Sequence, residues 1–266
     1  MSKLAELSRW IPGKAVRPLN PSACRLICFP FAGAGASTFR TWQDELPLNI
    51  ELLPVQLPGR ESRWSEPPFL DLSHLAETLR DVFLPVFSEP YALFGHSMGG
   101  LIAFELAREL RRRNLPLPRQ LFISGARAPH IPDRELRLHH LPDNLFWNAI
   151  QRDYGAARDP ALLNPELAPI LLPILRADFR MCETYAPRYE EPFSFPVTVY
   201  GGRSDRRVTY SDLIAWSAYT HRAFRLHLLA GEHFFLTTDR RRFLKTLSGD
   251  LTGLAGREKV NKCATD

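Results

Sequence analysis

Ser97 sits in the string Gly95-His96-Ser97-Met98-Gly99, and an acid, Asp205, and an imidazole, His233, follow it in the chain. A serine hydroxyl is a weak nucleophile until a base takes its proton. Histidine does this best when a carboxylate holds its second ring nitrogen. The chemistry on offer is therefore acyl transfer to Ser97, through a tetrahedral oxyanion that backbone N–H groups would have to stabilise.

Such chemistry needs the serine presented at the apex of a turn. Residues 91–94 read as a buried strand, and residues 101–110 as an apolar helix that turns basic at Arg111, Arg112 and Arg113 and stops at Asn114 and Pro116. Gly95 and Gly99 are the residues that strand and helix need where they nearly touch. Met98 opens the helix, so its N–H is an orphan donor of the first turn and a candidate for the oxyanion site. A second donor is expected in the small-residue loop Pro30-Phe31-Ala32-Gly33-Ala34-Gly35-Ala36, which follows a short apolar strand at 25–29. Phe31 or Ala32 would supply it, and spacing does not separate them.

Asp205 follows a strand at 195–202, where the acid of such a constellation belongs; Asp212, in the next helical segment, is the less favoured alternative. His233 follows a last strand that begins at Phe224 and ends in Ala230-Gly231, whereas His227 lies inside that strand, a place for packing. A serine elbow followed in order by an aspartate and a histidine is the arrangement of the α/β-hydrolases.

The elements between these residues fit that fold class. Further strands are expected at 50–57, with Pro54 marking an edge or a bend, and at 119–125. An amphipathic helix spans 70–87 with His74 at its surface, Ser37 caps a helix through Phe39, Trp42 and Leu46, and a helix at 239–254 closes the chain. The expectation is one domain over 1–266, an α/β-hydrolase fold with a mostly parallel, doubly wound sheet. Residues 1–24 read as a partly ordered lead-in and 255–266 as a frayed polar tail. Between about 126 and 190 the pattern breaks into proline-separated helical segments rich in leucine and isoleucine (Leu162, Leu163, Leu167, Ile170, Leu171, Leu172, Ile174, Leu175), read as a helical lid lining an acyl-sized pocket. His139 and His140 are expected to be solvated.

The bulk numbers exclude several classes. Of the 266 residues 45% are hydrophobic and 24% charged, ordinary for a globular chain, and no apolar run approaches the roughly 20 residues of a membrane span. No signal-peptide core opens the chain, so a cytoplasmic protein without membrane association is expected. Cys24, Cys28, Cys182 and Cys263 are too scattered for a disulfide framework or a metal site, and Cys28 reads as a small core residue. Neither a metal nor a cofactor is expected. The net charge of +5 comes without a nucleic-acid motif, and the arginine runs at 111–113 and 240–242 read as solvated helix faces, so no nucleic-acid partner is expected. A basic surface near the site would instead attract an acidic protein.

The strings Phe29-Pro30-Phe31-Ala32-Gly33, Gln56-Leu57-Pro58-Gly59-Arg60-Glu61, Gly95-His96-Ser97-Met98-Gly99-Gly100, Gly201-Gly202 before Asp205, and Gly231-Glu232-His233-Phe234 span most of the chain in order. In these the sequence resembles the type II thioesterases, stand-alone editing enzymes of nonribosomal peptide and polyketide synthases. Phe31 departs from a position often filled by histidine or tyrosine, and Ala34 from one usually glycine. The resemblance implies hydrolysis of acyl thioesters on the phosphopantetheine arm of an acylated carrier protein, by Ser97, Asp205 and His233, to clear stalled or wrong acyl groups. Alternatives are a medium-chain thioesterase of a fatty acid synthase and a small-molecule carboxylesterase on the same fold.

Overall fold

Six strands form one sheet: β1 (Cys24–Phe29), β2 (Ile50–Pro54), β3 (Tyr91–His96), β4 (Leu121–Ser124), β5 (Val197–Gly202) and β6 (Phe224–Leu229). They pair in the order β2-β1-β3-β4-β5-β6, every pairing parallel. The structure is a computed structural model that describes residues 3–13, 18–20, 23–132, 137–153 and 165–254.

Alternation along the strands feeds two apolar layers. Ile27, Phe29, Tyr91, Leu93, Leu121, Ile123, Val197 and Val199 face one layer. It is closed by α1 (Lys3–Trp10), α2 (Leu72–Phe83) and α3 (Met98–Arg112). Leu26, Cys28, Ala92, Phe94, Phe122 and Tyr200 face the other, closed by Phe39, Trp42, the short α7 (Phe235–Thr238) and the last helix, α8 (Arg240–Leu251). With both faces covered, the strands are apolar almost throughout, as a parallel sheet requires. The doubly wound α/β expectation holds. Among the described residues no helix is long and apolar enough to cross a membrane.

The chain leaves β1 for β2 on one side and then returns to place β3 on the other, so strand order reverses between β1 and β3. Ligands of open α/β sheets bind outside the strand C-termini at such a reversal. The register makes the point local: Phe29 is level with Gly95, and Gly202 with Leu229. The loops after β1, β3, β5 and β6 therefore leave the same end of the sheet.

Several sequence expectations change in detail. The lead-in contains α1, whose Leu7 and Trp10, with Ile11 behind them, are buried in the core. Ser37 caps no α-helix; the segment folds as two short 3-10 turns (Ala36–Phe39 and Gln43–Glu45), because the Ser37 hydroxyl is drawn 2.6 Å from Glu61 instead. β2 ends at Pro54 and lies at the sheet edge, where a residue without an N–H costs no ladder bond. Its outer side is met by Gln43: the side-chain amide donates to the Ile50 carbonyl at 2.9 Å and accepts from the Leu52 N–H at 2.9 Å.

The segment between β4 and β5 carries α4 (Asp143–Asp153) and α5 (Ala168–Glu183). Leu138, Phe146, Ile150, Leu172, Leu175 and Phe179 form a cluster of their own, with Ala32 packed against it. Pro169 stands in the first turn of α5, where a missing N–H costs nothing, whereas Pro173 lies inside the helix and forgoes the bond to the Pro169 carbonyl without ending it. Ile170 is exposed, and Leu162 and Leu163 lie outside the described residues, as does the tail from 255.

Two surface readings are corrected. His139 is buried, its ring Nδ1 2.5 Å from Glu183, whose carboxylate also accepts the Leu138 and His139 N–H groups; only His140 is exposed. The arginines at the end of α3 are not merely solvated. Arg111, Arg112 and the buried Arg108 converge on Glu190, and Arg112 also reaches Glu105 at 2.7 Å. Glu190 lies beyond α5, so this network fastens the exit of the β4–β5 segment to α3. Arg240 likewise pairs with Glu45.

Candidate active site

Ser97 has φ 54° and ψ −118°, a strained backbone for a residue with a side chain. The strain is held by close contact on both sides. A Cβ on Gly95 would lie 1.9 Å from the Gly99 carbonyl oxygen, and one on Gly99 would lie 2.1 Å from the Phe29 carbonyl oxygen. Strand, helix and the neighbouring strand end thus meet backbone to backbone. The Ser97 N–H is spent on the Ser124 carbonyl at 2.7 Å, while Met98 stands first in α3, where an N–H has no intrahelical acceptor.

A cavity of about 920 Å³ opens above this turn. Ser97, Met98, Phe31, Ala32 and His233 all line it. Leu101, Ile131, Ile150, Leu175 and Phe179 make one side apolar, and Arg127, Arg137 and Arg207 bring positive charge to its wall. The β4–β5 segment contributes to both.

His233 is 4% exposed and its Nδ1 lies 2.8 Å from Asp205 Oδ2. A carboxylate can only accept, so Nδ1 carries the proton and Nε2 is left as the basic nitrogen. The other oxygen, Oδ1, accepts the N–H groups of Arg207 at 2.8 Å and Val208 at 3.2 Å. The carboxylate is thereby held in one orientation. Asp212, the alternative acid, is occupied elsewhere: it completes a capping box with Thr209 at the start of α6 (Tyr210–Ile214). His227 lies in β6, stacked on Tyr200 and 3.0 Å from Asp250.

Two neighbours bear on the electrostatics. His96 lies directly before the serine, its ring 5.1 Å from that of His233 and its Nδ1 2.9 Å from Ser124 Oγ. Burial, with His233 alongside, pushes its pKa well below the ordinary histidine value, so it stays neutral. Cys182 also lines the cavity, but burial, reinforced by Asp178 and Glu183, pushes its thiol far up and makes it no rival nucleophile.

Sequence reasoning missed how the small-residue loop after β1 is held. Ala36 N–H donates to Gln56 Oε1 at 3.0 Å, and Gly33 N–H donates to Asp178 Oδ2 at 2.8 Å. Arg60 meets the same aspartate through both guanidinium nitrogens, at 2.6 and 2.8 Å. The string 56–61 carried the resemblance, so Gln56 and Arg60 were in view; Asp178, in a leucine-rich helix far along the chain, gave no signal beyond being a charge in an apolar run.

The thioesterase domain family matches residues 24–251. Linear gramicidin dehydrogenase LgrE of Brevibacillus parabrevis is 41% identical, over 94% of this chain and 96% of its own. Gramicidin S biosynthesis protein GrsT of Aneurinibacillus migulanus is 40% identical, over 89% and 91%. Although the first carries a dehydrogenase name, its match extends over more of this chain than the 24–251 that the thioesterase family covers, and so overlaps that region. Among solved structures, the RedJ thioesterase from the prodiginine pathway of Streptomyces coelicolor is 40% identical, covers 92% of this chain and 99% of its own, and superposes with a TM-score of 0.80.

Proposed function

Since the chain belongs to the thioesterase family, with relatives among the type II enzymes of nonribosomal peptide and polyketide pathways, we propose that it hydrolyses acyl thioesters held on the phosphopantetheine arm of a carrier protein. The observation that carries the catalytic part is the 2.8 Å contact of His233 with Asp205, in the wall of the cavity that Ser97 also lines.

In this reading Ser97 Oγ attacks the thioester carbonyl as His233 Nε2 takes its proton. Asp205 keeps His233 in the tautomer whose Nε2 is unprotonated and basic, and stabilises the imidazolium once formed. The N–H of Met98 and that of Phe31 or Ala32 bind the oxyanion. The C–S bond then breaks, and the imidazolium returns its proton to the departing thiolate. Water, activated by the same imidazole, attacks the acyl-serine; the acid leaves and Ser97 is regenerated. The apolar wall from Leu101 to Phe179 suits an acyl chain, and the arginines suit a phosphate-bearing arm or an acidic carrier. The helical β4–β5 segment acts as a lid of the single domain.

The test is Ser97→Ala on an acylated carrier protein. A fall of at least about 10³-fold in kcat is expected, and turnover within a few-fold of the parent would remove Ser97 from the mechanism. Two comparisons address the substrate. At matched acyl length, an oxyester turned over better than the carrier-bound thioester would make this a carboxylesterase. Raised salt should weaken hydrolysis on a carrier more than on a short thiol, and equal sensitivity would remove charge from carrier recognition.

A further inference from the structure

Resting on the reading that the loop after β1 gives one oxyanion donor, we propose that Arg60 and Asp178 are positioning residues that hold this loop in its donating geometry and make it depend on the seating of α5. The loop Ala32-Gly33-Ala34-Gly35-Ala36 has no side chain larger than a methyl, so packing through Ala32 and Ala36 gives it little grip and hydrogen bonds carry much of its placement. Next to the two candidate donors, that bond is Gly33 N–H to Asp178 Oδ2.

Asp178 is 1% exposed and Arg60 4%. Neither lines the cavity, so neither meets substrate. The guanidinium holds both carboxylate oxygens, donates from Nε to the Pro58 carbonyl at 3.2 Å, and points Nη1 at the Ala34 carbonyl at 3.4 Å. The loop after β2, the loop after β1 and α5 are thus tied at one buried point. Leu175, one turn before Asp178, closes over the same glycine: a Cβ on Gly33 would lie 2.8 Å from its Cδ2.

A buried ion pair is weak evidence for stability, since apolar residues of similar volume often replace one at little cost. What an apolar pair cannot supply here is an acceptor for the Gly33 N–H. The aspartate also belongs to the segment that walls the cavity. Any displacement of α5 that widens the cavity therefore releases the peptide adjoining Phe31 and Ala32, so the hole is complete only with the helix in place.

The pair Arg60→Met with Asp178→Leu removes the acceptor without stranding a charge; Asp178→Asn alone keeps an acceptor and loses the bidentate grip. Three quantities are measured on enzyme titrated for active sites: kcat and KM for an acyl thioester, affinity for an acyl boronic acid whose tetrahedral adduct presents an oxyanion, and affinity for a thioether that cannot react. In the double variant, kcat and boronate affinity should both fall about 10- to 100-fold, with KM and thioether affinity within about 2-fold of the parent. Asp178→Asn should fall between. Unchanged kcat and boronate binding in both variants would overturn the proposal, as would parallel loss of boronate and thioether binding, which marks general distortion of the cavity. Ser97→Ala in the same assay distinguishes the parent reading: hydrolysis surviving it would overturn that reading and this one with it.

Discussion

Replacing Gly99 by alanine tests the geometry of the turn more sharply than replacing the nucleophile. The added Cβ would lie 2.1 Å from the Phe29 carbonyl oxygen, 2.6 Å from its carbon and 2.8 Å from the Pro30 carbonyl oxygen. All three are backbone atoms at the end of β1, so no side chain can rotate out of the way. A Cβ needs about 3 Å at the least, so the start of α3 and the end of β1 must part by about 1 Å in a core with no slack. That parting separates Met98 from Phe31 and Ala32, the two arms of the proposed oxyanion site. A misplacement of this size costs about 10²-fold in rate, and the overpacking about 1–3 kcal/mol in stability. Gly249, in α8, has nothing within 4 Å of its would-be Cβ. Gly249→Ala should leave kcat unchanged and stabilise by up to about 1 kcal/mol. Acyl-thioester turnover, with thermal melts of both variants, gives the comparison. A folded Gly99→Ala enzyme with kcat within about 3-fold of the parent would refute the argument that this contact sets the donor spacing.

Asp205→Asn should lower kcat about 10³- to 10⁴-fold with little change in melting. The Arg207 and Val208 N–H groups will select the amide oxygen at the Oδ1 position and turn the NH₂ toward His233, forcing the proton onto Nε2; imidazole NMR checks this. Burial would raise the Glu190 carboxyl, but hydrogen bonds from Arg111, Arg108 and Arg112 outweigh it and its pKa is lowered. Its contribution is thus full above the unfolded value of about 4.3 and is lost as pH falls through the lower folded value. Glu190→Gln should cost about 1–3 kcal/mol at neutral pH in denaturant melts, with the gap to the parent closing only below about pH 4. Burial pushes the Cys24 thiol up to about 11 and the Cys28 thiol well above its ordinary value. At pH 8 both should resist iodoacetamide in the folded protein and react on unfolding, as peptide mass mapping would show.

The parallel sheet and the elbow were legible because they rest on local signals: apolar runs bounded by turns, and glycines flanking one serine. The ordering of Ser97, Asp205 and His233 added a long-range constraint, and the structure brings Asp205 and His233 into contact. What sequence left out is pairing between distant charges. Asp178 and Arg60, 118 residues apart, and Glu190 with the α3 arginines acquire meaning only after folding. His139 misled for the same reason: its partner Glu183 is 44 residues away, so nothing nearby announced burial. Phe31 and Ala32 remain unresolved by spacing, since both flank the same turn in the cavity wall.

Gln43 shows how the open side of the sheet is finished. Its amide takes the place of a missing neighbour, satisfying one acceptor and one donor on the outer rim of β2. A second molecule seeking to extend the ladder there would have to evict that side chain and would still face Pro54, which offers no proton. Among the described residues Gln43 thus blocks edge-to-edge pairing over Ile50 to Leu52, at the side of the sheet away from β5 and β6 and the loops they send toward Ser97.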